Sequence, residues 1–132
     1  VLDYGNRQVQ RLSLDGRYLS RYAFRRSKES EELRLLGGVG ADGHRLYLYD
    51  VEAAKVRVVD FSGTLLASWA LPLLEGEDAR SLVELLPWEG ILYAARRGSS
   101  RLHRLDLKTG EALPPLEVYA PVRALGVWRN PA

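Results

Sequence analysis

A period of 46 to 47 residues runs through the chain, and it constrains the fold more than any other feature. Asp3 and Asp50 stand 47 apart, as do Val9 and Val56, Gly16 and Gly63, and Leu19 and Leu66. Between these anchors, residues 9–16 (VQRLSLDG) lie over 56–63 (VRVVDFSG) with matching character. A third copy follows, because Leu46-Tyr47 recurs 46 residues later as Leu92-Tyr93 and Gly63 recurs 47 later as Gly110. The stretch from Leu102 to Gly110 is one residue longer than that from Val56 to Gly63. The turn at 106–110 therefore holds an extra residue, as two hairpins of different turn type would.

Each unit reads as short strands. Residues 45–50 (RLYLYD) and 55–63 (KVRVVDFSG) are β-branched or aromatic runs closed by turn residues, and 63–69 (GTLLASW) supplies the next strand. Residues 81–86 (SLVELL), before Pro87, form a first strand that leads into 91–96 (ILYAAR). A helix over 73–86 is the alternative, since that segment holds good helix formers. By position, however, it matches 32–40 (ELRLLGGVG), where Gly37, Gly38 and Gly40 argue against helix. The glycine run at 37–43 is expected to be a turn between strands rather than a phosphate cradle. Two antiparallel meanders follow, over 45–50, 55–60 and 65–69 and over 91–96, 101–106 and roughly 113–119.

Four short strands per period of 46 or 47 residues is the arithmetic of a β-propeller blade. Residues 2–19 (LDYGNRQVQRLSLDGRYL) resemble the NHL repeat, with Asp3, Gly5, Asn6, Arg7, Val9 and Gly16 where that repeat puts its typical residues. The second copy keeps Asp50, Val56 and Gly63, whereas the third replaces the Asp with Arg96, and its 102–113 (LHRLDLKTGEAL) looks more like quinoprotein-type repeats. The resemblance implies an all-β fold of four-stranded antiparallel blades, about three of them, which is half of a six-bladed ring or a fragment of one. Its units are 1–31 without a first strand, 32–78, 79–121, and 122–132 opening the next blade. In such repeats the Asp at the end of the second strand caps a turn, the role expected of Asp3 and Asp50, while Gly16, Gly63 and Gly110 are placed at positive φ in hairpin turns.

The chain has 132 residues, 46% hydrophobic and 27% charged, an ordinary globular composition. Lys+Arg 19 against Asp+Glu 17 gives a net charge of +2, too small to imply a polyanionic partner. With no cysteine, disulfides, thiolate nucleophiles and Cys-based zinc sites are excluded. Sixteen of the 19 basic residues are Arg, and only two residues are Asn and two Gln, which fits a thermophile or a GC-rich genome. The missing Met suggests that a leader was removed or that the chain is a piece of something longer. No apolar run is long enough for a membrane helix, and the periplasm or the extracellular space is slightly favoured over the cytoplasm.

The residue types of catalysis are sparse. His44 in its turn and His103, expected to point outward from a strand, have no ligand-spaced partners. The acidic runs Glu75, Glu77, Asp78 and Glu29, Glu31, Glu32 read as solvated loops without the calcium-loop pattern. Trp69, Trp88 and Trp128 sit near strand ends, where they would pack between blades. Arg96, Arg97, Arg101 and Arg104 form a basic cluster near Tyr93 that suits phosphate or an acidic partner. The expected function is a non-catalytic scaffold for protein interaction or assembly, with no cofactor and nucleic acid disfavoured. The competing class is part of a ligand-binding or enzymatic propeller, lactonase-like or quinoprotein-like, whose site lies partly outside the chain. Unpaired sheet edges call for a protein partner, either a second copy or the remainder of the ring, met through 1–24 and 116–128.

Overall fold

Strand propensity and turn chemistry divide the chain into eleven strands among the residues that the computed structural model describes, which are 2–3, 8–23, 36–118 and 125–126. The first sheet holds β1 (Leu2–Asp3), β2 (Gln8–Leu12) and β3 (Tyr18–Ala23) in sequence order. The second is a four-stranded meander of β4 (Leu36–Ala41), β5 (Arg45–Asp50), β6 (Lys55–Asp60) and β7 (Leu65–Ala70). The third repeats it with β8 (Val83–Trp88), β9 (Ile91–Arg96), β10 (Arg101–Asp106) and β11 (Ala112–Glu117). Every pairing is antiparallel, so the two expected meanders are present with ends within two residues of the expected ones.

Two expectations change. Residues 37–40 are not a turn but lie inside β4. The reason is the approach of the neighbouring blade. A Cβ on Gly38 would lie 2.1 Å from the carbonyl oxygen of Val83, and one on Gly40 2.7 Å from that of Leu85, so β4 meets the backbone of β8 where a side chain has no room. The strand at 81–86 begins later and runs through Pro87 to Trp88. Proline is tolerated there because β8 is an edge strand of its sheet. A two-residue loop then turns the chain, with Glu89 and Gly90 both at positive φ (46° and 83°), as a tight hairpin requires. Of the strand expected at 122–128 only 125–126 are described, and they lie in no strand, while Trp128 and the charged run 25–32 lie outside the described residues.

The second sheet is apolar on both faces because it lies between two neighbours. Leu48 and Val59, with Val39 and Leu46 beside them, pack with Val9 of β2. From the opposite face Tyr47, Tyr49, Val56, Val58 and Trp69 join Val83, Leu85, Leu92, Ala94 and Leu105 of the third sheet in the main core. The Tyr47 and Trp69 rings stand 6.3 Å apart and tilted by 31° within it. Burial of this set is the principal favourable term holding the blades together.

The three equivalent hairpin turns share one design. Asp60 Oδ1 accepts the N–H groups of Ser62 (3.0 Å) and Thr64 (2.9 Å). Asp106 Oδ1 accepts those of Lys108 (2.7 Å) and Thr109 (3.1 Å). In the first sheet Ser13 stands in that place, and its Oγ accepts the N–H of Arg17 at 3.0 Å. Gly16, Gly63 and Gly110 close these turns at φ of 87°, 91° and 74°. The 106–110 loop is one residue longer, since Gly63 N–H bonds to Asp60 O whereas Gly110 N–H bonds to Asp106 O.

Candidate functional site

The seam between the second and third sheets contains a buried polar cluster, and the repeat explains how it arose. Forty-six residues separate Asp50 from Arg96 and Arg57 from His103. In the second sheet this pair of positions holds an acid and a base. Asp50, wholly buried, lies 3.6 Å from the Arg57 guanidinium, and its Oδ1 also accepts the N–H groups of Glu52 (3.1 Å) and Ala53 (3.3 Å). In the third sheet the same positions hold two bases, so the carboxylate must come from elsewhere.

Glu77 supplies it, from the connection between β7 and β8. Its Oε1 lies 2.8 Å from His103 Nε2 and accepts the Leu74 N–H at 2.9 Å, while Oε2 accepts the Ser99 hydroxyl at 2.6 Å. Arg96 Nη1 donates to the Tyr49 hydroxyl at 2.5 Å, Nη2 donates to the carbonyl of Leu71 at 3.0 Å, and Nε stands 3.7 Å from Glu77 Oε1. The guanidinium also lies 5.2 Å from the centre of the Tyr49 ring, a cation–π distance. Tyr49 in turn donates to the Ala79 carbonyl at 2.9 Å. The side chains of Glu77, Arg96 and His103 are 2%, 1% and 4% exposed, so these interactions are made away from water. Burial works to raise the Glu77 carboxyl, but the Ser99 hydroxyl, the Leu74 N–H and His103 outweigh it and hold the group below its usual range.

Two readings from sequence are thereby corrected. His103 does not point outward, because its cross-strand partner Ala94 belongs to the face turned to the second sheet. Glu77 is not part of a solvated loop, because 71–82 folds back over β9 and β10 and carries it into the seam. The four arginines also separate. Arg96 is buried in the seam and Arg97 is exposed on the following turn. Arg101 reaches the Glu75 carbonyl at 3.4 Å. Arg104, on the other face beside Tyr93, donates twice to the Pro114 carbonyl at 2.9 and 2.7 Å. Of the two aspartates expected to cap turns, Asp50 makes the bonds given above, while Asp3 lies in β1, paired with Gln8, and the turn after it lies outside the described residues.

The chemistry of the cluster is that of a staple. Ser99 Oγ donates to the carboxylate and not to His103, so the imidazole does not stand between hydroxyl and carboxylate as nucleophile activation requires. Among the described residues no group of three His, Asp or Glu side chains is placed to hold a metal ion. The only sequence signal for the staple was that the repeat's Asp, Asp50 in the second copy, is replaced by Arg96 in the third. Glu77, Tyr49 and Ser99 carry none.

No protein-family model matches the chain, and no curated protein matches it. Solved structures do. Sqt1 of Saccharomyces cerevisiae superposes with a TM-score of 0.56 at 13% identity, over 89% of this chain and 31% of that one. Glutaminyl cyclase of Myxococcus xanthus gives 0.55 at 18%, over 87% and 45%. A catalytically inactive virginiamycin B lyase of Staphylococcus aureus, solved with quinupristin, gives 0.52 at 14%, over 90% and 37%. The chain thus spans less than half the length of each of these propeller-like proteins. Among the described residues no helix is long and apolar enough to cross a membrane. The likeness and the two four-stranded antiparallel sheets together make this an all-β chain built of β-propeller blades.

Proposed function

We propose that the chain is a non-catalytic propeller scaffold whose business is protein interaction or assembly. The observation that carries this reading is where uncovered apolar side chains gather. On the hairpin of the first blade Leu12, Tyr18 and Leu19 are 40%, 54% and 48% exposed, and Leu14 is fully exposed. Leu12 and Tyr18 are cross-strand partners, so the two contribute to one surface. Apolar groups so grouped on a soluble blade favour a protein partner over a small polar substrate. The polar groups in the seam support the same reading, because their hydrogen bonds are directed at one another and not at an open cleft.

Site-specific photo-cross-linking tests it. A photo-reactive phenylalanine analogue at position 18, in cells producing the protein, is expected to give covalent adducts with protein. The same group at the exposed position 97 serves as the background. Adducts at 18 no more abundant than at 97 would overturn the scaffold reading.

A further inference from the structure

The seam between the second and third blades shows how one blade of this chain grips the next. The hairpin turn of the third blade sits on the indole of Trp69, since a Cβ on Gly110 would fall 2.1 to 2.3 Å from Cδ1, Cγ and Nε1 of that ring. Leu107, from the same turn, packs against the core of the seam. At this seam, then, a turn of the third blade receives and an outer-strand side chain of the second blade inserts. In the second blade the inserted residue is Trp69, the cross-strand partner of Val56. In the third blade the same place is held by Leu116, the partner of Leu102.

In the first and third blades the corresponding groups are uncovered. In the first blade Leu14 and Gly16 occupy the positions of Leu107 and Gly110, yet Leu14 is fully exposed and nothing lies within 4 Å of a Cβ built on Gly16. In the third blade Leu116 is 43% exposed. Pro114 and Pro115 remove two N–H donors from β11, which disfavours simple strand addition at that edge and leaves side-chain packing as the means of contact.

We propose that the turn of the first blade is the docking site for a second copy of this chain, with Leu116 of one copy seated on the Leu14–Gly16 turn of the other. The contact repeats, between chains, the one that Trp69 and the Gly110 turn make within the chain. It is head to tail, and two such contacts close a dimer. This rests on the scaffold reading and names its partner.

The test is the molecular mass in solution of the 132-residue chain at low micromolar concentration, by sedimentation or light scattering. A dimer is expected for the unaltered chain. Leu14→Glu and Leu116→Lys should each weaken it by roughly tenfold or more. Their combination in one chain should restore pairing, because the two new charges then face each other. Leu14 is exposed, so its replacement leaves the fold intact, and a melting curve on each variant checks this. A well-folded monomer, or a dimer indifferent to both substitutions, overturns the proposal. A monomer that still forms adducts at position 18 with other proteins overturns it while sparing the scaffold reading. Absence of both dimer and adducts sinks the two together.

Discussion

Replacing Gly110 and Gly16 by alanine compares one turn position in two surroundings. Both glycines have positive φ, 74° and 87°, so alanine pays the backbone cost of the left-handed region at each, about 1 kcal/mol. At Gly16 nothing lies within 4 Å of the added carbon, and the cost stops there. At Gly110 that carbon would fall 2.1 Å from Trp69 Cδ1, far inside van der Waals contact. Trp69 is 9% exposed and sits beside Tyr47, so the indole cannot simply swing into water. Either the ring shifts in the core or the turn lifts off it, an overpacking cost of about 1 to 3 kcal/mol.

Gly110→Ala should therefore destabilise by about 2 to 4 kcal/mol, against about 1 for Gly16→Ala. For a domain of this size the difference, about 1 to 3 kcal/mol, corresponds to roughly 3 to 15 °C in melting temperature. Thermal and urea unfolding followed by tryptophan fluorescence would read it, with circular dichroism for variants that lack Trp69. A double-mutant cycle isolates the steric part, since in a Trp69→Ala background Gly110→Ala should fall back to the backbone cost alone. Equal losses at 16 and 110, or additivity with Trp69→Ala, would refute the view that this turn is seated on the neighbouring blade.

Gly38→Ala, which pushes a methyl group towards the Val83 carbonyl, should cost about 3 kcal/mol by urea titration, with a native-like cost below 1 arguing against the close approach of β4 and β8. Gly63→Val, at φ of 91°, should destabilise by about 1 kcal/mol or more, read as a lowered melting temperature. The Glu77 carboxyl is held below its ordinary value of 4.5 in the folded chain, so its contribution is present above that pH and is lost as pH falls through the lowered value. Stability measured from pH 6 down to about 3 should decline accordingly, and Glu77→Gln should make the decline shallower.

The blades were legible because two local signals agree along most of the chain. Strands such as 45–50 and 55–60 are rich in β-branched and aromatic residues, and a Ser or Asp three or four positions before a Gly marks each turn between the third and fourth strands of a blade. The glycines of β4 were misleading because glycine in a strand and glycine in a turn look alike until the neighbour that requires it is known. Only the carbonyls of Val83 and Leu85, some forty-five residues away, separate the two readings. His103 was hidden by its own strand. In 101–106 the apolar residues are Leu102 and Leu105, three apart, and in a strand they point to opposite faces. The pattern alone therefore does not say which face is the inner one. The register settles it, since His103 and Leu105 pair with Ala94 and Leu92 on the seam side.

The staple bears on why the blades meet in one alignment. Burial of Tyr47, Val56, Val58, Leu92 and Leu105 favours contact but is indifferent to small slips, because apolar groups attract without direction. Glu77, Arg96 and His103 are not indifferent. Only the observed alignment lets Glu77 meet Leu74 N–H, Ser99 and His103 together while Arg96 reaches Tyr49 of the second blade. Sliding one sheet by two residues keeps apolar faces in contact but strands buried charges, at a cost of several kcal/mol. In the second blade the corresponding acid and base, Asp50 and Arg57, form an ion pair with each other inside one sheet. Changing the acid to Arg96 and the base to His103 made the third blade depend on a carboxylate from the connection. That dependence ties 71–82 and the two sheets into a single register.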